Sequence, residues 1–267
     1  MKVYKATNTL DDYLPSEIYT SDKSQADILL VGGKKFDLEE FPKLSAIFKT
    51  GVGTDNIPFK DAENRNVRIV LPSENTSRII FEETANYTCH LILKGLYSNT
   101  FNWEKWHKLE RPMLSNRKLL IIGKGRIGSI VKEKLAAFME VLTYDTLDNN
   151  YDELPGLIRD SDCISLHLPL CSSTASFINE EKISWMKRGA LLVNTARGKL
   201  VCEDALYRAL ANSKIYALFD VFWNEPYSGK LMEFSPDRFI TTPHIASTCS
   251  DFLKSCADDF LSLINQS

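Results

Sequence analysis

"KLLIIGKGRIGSIVKEKLAAF", residues 118–138, decides the fold. Leu119 to Ile122 are four apolar residues without alternation, the pattern of a strand covered on both faces. They run straight into GKGRIG at 123–128. A helical pattern follows, with apolar side chains at Ile127, Ile130, Val131 and Leu135. A glycine triplet alone serves many plain turns. Between a buried strand and an amphipathic helix it reads as the first half of a dinucleotide-binding βαβ unit. Gly123 permits the tight turn, Gly125 lets backbone approach a pyrophosphate, and Gly128 allows close packing of helix on strand. The helix N-terminus offers N–H groups and partial positive charge to the phosphates, with the amides of Arg126 and Ile127 as the expected donors.

The next strand, EVLTYD, ends at Asp145. A carboxylate there accepts the ribose hydroxyls of NAD and repels the extra phosphate of NADP. TLDNN, which follows, holds no Arg or Lys to receive that phosphate. The expected cofactor is therefore NAD. As a plain structural residue, Asp145 would simply cap its loop.

Working outward, apolar runs alternate with helical patterns along the whole chain. MKVYKA, DILLVGG, LSAIFKTG and NVRIVLP precede the long amphipathic stretch 81–96. KLLIIGKG, EVLTYD, CISLHLP, ALLVNTA, YALFDVF and FITTPH come after it. This alternation predicts an α/β fold with parallel sheets in two lobes and a hinge near Ser77–Ile80. Between the first two strands, DDYLPSEIYTSDKSQ leaves room for a turn of helix and a brief strand, EIYTS. The last stretch, STCSDFLKSCADDFLSLIN, is expected to be a helix.

Composition narrows the function classes. A formal charge of −3 over 267 residues gives no sign of a nucleic-acid partner. No apolar run reaches the roughly 18 residues of a membrane span, and MKVYKATNTLDDYL lacks the apolar stretch of a signal peptide. The six cysteines show neither metal-ligand nor disulfide-framework spacing. A cytoplasmic protein with reduced thiols and no metal is expected.

Three ionisable residues follow strands of the second series: Arg197 in NTARG, Glu225 in DVFWNEP and His244 in TTPHIA. Ligands of open α/β sheets bind beyond the carboxyl ends of the strands, so these three can meet over a cofactor. Each taken alone has a plain reading, as a surface arginine, a loop acid or a structural histidine.

The motifs GVGTDNI (51–57), GKGRIG…YD, SDCISLHLPL, INEEKISWMKRGALLVNTARG, DVFWNEP and TPHIA, in this order, resemble the NAD-dependent D-isomer-specific 2-hydroxyacid dehydrogenases, phosphoglycerate dehydrogenase-like members included. The resemblance covers most of the chain. It implies a Rossmann NAD-binding domain (80–246) inserted in a smaller flavodoxin-like substrate domain (1–79 and 247–267), with the final helix returning to the first lobe. It further implies that Arg197 binds the substrate carboxylate and polarises the carbonyl, a task suited to a planar, always-charged fork. His244 would be the general acid/base and Glu225 its acid partner. Val52 and Gly53 would bind the substrate carboxylate through N–H groups. Leu168, Pro169, Thr195 and Asp220 would contact the cofactor, Asp220 near the nicotinamide carboxamide. Trp103 and Trp106 resemble an aromatic arm that packs across a homodimer.

Some positions depart from the family pattern. Trp223 is expected to pack structurally, and Cys171, where a threonine is common, likewise. Ala246 and Ser247 keep the position after the histidine small. Lys34 and Lys35 stand where phosphoglycerate dehydrogenases carry an Arg-Ser pair nearby. They read first as solvated surface, and second as point charges for another anionic group. The expected function is hydride transfer between NAD(H) and a small 2-oxo or 2-hydroxy acid. The alternative is an NAD-sensing corepressor-like protein on the same scaffold. Formate dehydrogenation is disfavoured because those members have Gln where Glu225 stands.

Overall fold

The structure, a computed structural model, describes residues 1–98, 101–102 and 107–265. The chain forms two compact units, Met1–Glu83 with Ser247–Ser267, and Thr84–Ala246. The sequence expectation places the first division at 79/80.

In the first unit, strands β1 (Val3–Lys5), β2 (Ile28–Val31), β3 (Ala46–Lys49) and β4 (Arg68–Val70) form a parallel sheet in that order. β2 and β3 are buried throughout, and their side chains divide between two cores. Leu29, Val31 and Ile47 pack with Leu38, Phe41 and Ala62, the last from helix α1 (Phe59–Asn64). Ile28, Leu30 and Phe48 pack on the opposite face against Phe252, Cys256 and Phe260 of the final helix, Ser250–Asn265. Phe48 and Phe260 meet edge to face at 5.1 Å. The expected strand at EIYTS shrinks to one parallel bridge, Tyr19 to Val3, after a 3-10 turn at Ser16–Ile18. It adds a vestigial fifth position beside β1.

Helix α2 (Glu74–Leu96) is continuous, and the stretch Ser77–Ile80 expected as a hinge lies inside it. The cause is local. Ser73 receives the Thr76 amide at 3.3 Å, and no glycine or proline interrupts the helix before Gly95. Asp259 of the final helix accepts the Ser73 amide at 2.8 Å and the Thr76 hydroxyl at 2.7 Å, anchoring this end.

After α2 a short antiparallel pair, β5 (Phe101–Asn102) and β6 (His107–Lys108), precedes the second sheet. Trp103 and Trp106 lie outside the described residues. The second unit's sheet comprises β7 (Lys118–Ile122), β8 (Glu140–Tyr144), β9 (Cys163–Leu166), β10 (Ala190–Asn194), β11 (Ile215–Phe219) and β12 (Phe239–Thr241). All are parallel, in the order β8-β7-β9-β10-β11-β12. Alternate residues face opposite layers. Leu119 and Ile121 pack with α2 and with α3 (Arg126–Leu135). Leu120 and Ile122 pack with α4 (Leu154–Asp160), α5 (Glu180–Trp185) and α6 (Glu203–Ala211). The final helix is thus α7. Strand order reverses between β7 and β9, and the crevice beyond their carboxyl ends is where such sheets bind ligands. Among the described residues no helix is long and apolar enough to cross a membrane.

All six cysteines are free. Burial pushes the Cys256 thiol up to about 12 and raises that of Cys163 as well. Cys171 corrects the packing expectation. It is exposed, and hydrogen bonds from Ser173 and Thr174 within its own turn bring its thiol down to about 7.

Phe260→Ala removes a fully buried ring from between α7 and β3. It is expected to cost about 3–5 kcal/mol in urea unfolding. A loss below about 0.5 kcal/mol would show that α7 does not complete this core.

Candidate active site

The glycine turn follows directly from close packing. Gly123 has φ +102°, and a Cβ there would lie 2.7 Å from the His167 carbonyl carbon and oxygen. At Gly128 a Cβ would meet the Gly123 oxygen at 2.1 Å. At Gly125 nothing stands within 4 Å, so backbone lies open there. Gly125 caps α3, whose first turn presents the amides of Arg126, Ile127 and Gly128 at its positive end. This open backbone beside a helix N-terminus fits a dinucleotide pyrophosphate.

Asp145 follows β8 and sits half-buried beside that turn. Its Oδ2 accepts the Lys124 amide at 2.7 Å and its Oδ1 the Leu147 amide at 3.1 Å. Each carboxylate oxygen keeps capacity for a ribose hydroxyl. The loop-capping bonds therefore leave the carboxylate able to accept further donors. Leu168 is buried and Pro169 exposed at the carboxyl end of β9. Thr195 is buried, with its hydroxyl 2.8 Å from that of Thr88 in α2.

His167 escaped the motif reading. Burial draws its imidazole down to about 4, so it is neutral at physiological pH, and Nε2 lies 2.9 Å from the Ser165 hydroxyl. A histidine within the apolar run of SLHLP was the available signal.

The carboxyl ends of β10, β11 and β12 carry the ionisable cluster. Asn194, fully buried at the end of β10, shapes the NTARG loop. Its Oδ1 accepts the Ala196 amide at 3.0 Å and its Nδ2 donates to the Arg197 carbonyl at 2.8 Å. At Gly198 a Cβ would stand 2.1 Å from the Phe222 carbonyl carbon, so only glycine lets this loop meet the one bearing Glu225. Arg197 is half-buried and donates to the Ala196 carbonyl at 2.7 Å.

Glu225 receives the Phe222 amide on Oε1 at 3.0 Å, and its Oε2 lies 2.7 Å from His244 Nδ1. Burial pushes its carboxyl upward. The His244 bond and charge, the Phe222 amide and the Arg197 charge outweigh burial and leave it below the usual glutamate value. With Nδ1 committed to the carboxylate, Nε2 is the imidazole nitrogen left for chemistry. His244 adopts φ +55°. Asp220 holds this bend. It is fully buried, accepts Thr242 Oγ1 at 2.6 Å and the Ile245 amide at 2.9 Å on Oδ1, and accepts the Ala246 amide at 2.9 Å on Oδ2. Burial raises the Asp220 carboxyl despite these bonds. Trp223 packs as expected, stacked on Phe219 at 5.8 Å with Nε1 donating to the Val201 carbonyl at 2.7 Å.

Val52 and Gly53 belong to the first unit, in the loop after β3. That loop is tied down by Asn56, which donates to the Gly32 carbonyl at 3.0 Å and the Lys34 carbonyl at 2.7 Å. Lys34 and Lys35 are exposed and line a depression of about 350 Å³ together with Tyr4, Lys23 and Phe36.

An open glycine turn and a histidine–carboxylate pair thus stand at the carboxyl ends of strands in one parallel sheet. Residues 94–246 match the family described as D-isomer specific 2-hydroxyacid dehydrogenase, NAD binding domain. The hydroxypyruvate reductase of Thermotoga maritima is 32% identical, with 88% of this chain and 78% of that one covered. The glyoxylate reductase of Korarchaeum cryptofilum is 34% identical over 78% of this chain and 68% of its own. The crystal structure of D-lactate dehydrogenase from Aquifex aeolicus, complexed with NAD and lactic acid, superposes with a TM-score of 0.80 at 28% identity. It covers 99% of this chain, and this chain covers 94% of it. The chain belongs to the D-isomer specific 2-hydroxyacid dehydrogenases. It is an oxidoreductase that binds NAD(P) and moves a hydride between that cofactor and small 2-hydroxy or 2-oxo acids.

Asp220→Asn replaces one acceptor oxygen with an NH2 group facing a donor. It is expected to cost about 1–3 kcal/mol in urea unfolding and to lower kcat as the His244 segment loosens. Unchanged stability and kcat would remove Asp220 from that role.

Proposed function

We propose that this chain reduces small 2-oxo acids of the glyoxylate and hydroxypyruvate kind to hydroxy acids, D-configured where C2 is chiral. Arg197, Glu225 and His244 are its catalytic residues. The observation that carries the reading is the His244 Nδ1 to Glu225 Oε2 contact at 2.7 Å, with the Arg197 charge acting on the same carboxylate. When bound, NADH supplies the hydride and its electron pair to C2. Arg197 receives the substrate carboxylate and polarises the carbonyl. His244 delivers a proton from Nε2 to the carbonyl oxygen, and oxidation runs the same proton backward. Glu225 engages Nδ1 and so orients the ring. Val52 and Gly53 serve as amide donors to the substrate carboxylate. Gly123, Gly125, Arg126, Ile127 and Gly128 hold the pyrophosphate, and Asp145 holds the ribose and favours NAD. Leu168, Pro169 and Thr195 border the cofactor, while Asp220 acts on its nicotinamide end through the His244 segment. A homodimer in the cytoplasm completes this reading.

NADH oxidation against glyoxylate, hydroxypyruvate, pyruvate and oxaloacetate tests it directly. Turnover is expected, and His244→Ala should lose at least about 100-fold in kcat while NADH binding survives. Tight NADH binding without turnover on any acid would favour the sensor alternative.

Glu225→Gln turns the carboxylate that meets His244 Nδ1 at 2.7 Å into an amide. It is expected to lower kcat at least about tenfold with NADH affinity kept. An unchanged kcat would deny the pair its role. The carboxylate also bears on stability. The depressed Glu225 carboxyl contributes stability that is full above the ordinary glutamate range and is lost as pH falls through its lower folded value.

A further inference from the structure

Lys124 fills the first variable position of GKGRIG, and its backbone is pinned beside the ribose carboxylate by the 2.7 Å bond from its amide to Asp145 Oδ2. Its ammonium pairs with Asp148 Oδ2. Asp148 belongs to the same knot, since its amide donates to the Asp145 carbonyl at 3.1 Å. Lys124 and Asp148 are thus both tied to Asp145, the residue that ribose hydroxyls would meet. The sequence of the loop after β8 shows no cation because this one comes from the loop after β7.

We propose that Lys124 is a latent ligand for a 2′-phosphate and that Asp148 masks it, so the Lys124–Asp148 pair sets cofactor choice together with Asp145. The proposal rests on the reading of this crevice as the dinucleotide site. A 2′-phosphate brings roughly two negative charges. It would meet two carboxylates, and the Lys124 ammonium is already engaged by Asp148. NAD carries only a hydroxyl there and disturbs none of these charges. The pair is partly solvated, with side-chain exposures of 34% for Lys124 and 57% for Asp148, so it opens at little cost once a stronger anion competes. Neutralising Asp148 both frees the ammonium donors and removes one repelling charge. It leaves intact the Lys124 and Leu147 amide bonds to Asp145, which Asp145 substitutions would break.

Titration calorimetry with NAD and with NADP on the full chain reads this without turnover. Asp148→Asn should tighten NADP relative to NAD about five- to tenfold. The gain should vanish in the Asp148→Asn/Lys124→Gln double variant and shrink in about 0.5 M salt. Asp148→Ser serves as a second variant and should behave as Asp148→Asn does. An unchanged NADP-to-NAD ratio in both single variants, or a gain that survives loss of the lysine, overturns the proposal. Failure of the unsubstituted chain to bind either dinucleotide would instead overturn the cofactor site itself.

Discussion

A carboxylate kept from water, Asp220, organises the end of the second sheet. It sits just past β11 and accepts from the Thr242 hydroxyl and from the amides of Ile245 and Ala246. Those three donors bracket His244. Removing water from a carboxylate is costly unless its lone pairs are filled, and here the filling groups come from one short segment. The left-handed bend at His244 is held by this network, and the bend puts the imidazole against Glu225.

Close approach does the same work elsewhere. Parallel strands deliver their loops to one edge of a sheet, but loops meet only when side-chain bulk is absent between them. Gly198 provides that clearance against Phe222, and Gly128 against the Gly123 carbonyl. One contact serves the arginine and glutamate loops. The other brings a helix N-terminus onto a strand. The charges are thereby set in a rigid frame before any ligand arrives, which is what electrostatic assistance to a reaction requires.

Much of this was legible in the residues. Strands covered on both faces show as unbroken apolar runs, so CISL and ALLVN could be read directly. Motif order gave Arg197, Glu225 and His244 as candidates, and the structure gathers Glu225 with His244 and sets Arg197 where its charge reaches that carboxylate. What stayed hidden has physical causes. A single bridge such as Tyr19 to Val3 has no period to detect. The start of α2 at Glu74, ahead of the stretch expected from 81, shows no apolar period, and Asp259, which anchors it, lies far away in sequence. Lys124 was overlooked because motif reading attends to the glycines and treats the residues between them as spacers. Cys171, standing where a threonine is common, was read as packing, and its exposure comes from a turn that closes on itself.

The placement of α7 has a consequence for biosynthesis. The face of the first sheet formed by Ile28, Leu30 and Phe48 is covered by residues more than two hundred positions later in the chain. While the ribosome makes the intervening domain, that face stays uncovered and sticky. Translation therefore finishes the second domain before the first can close. A nascent chain stalled ahead of Phe252 would present a chaperone with an open apolar sheet beside a completed nucleotide-binding fold.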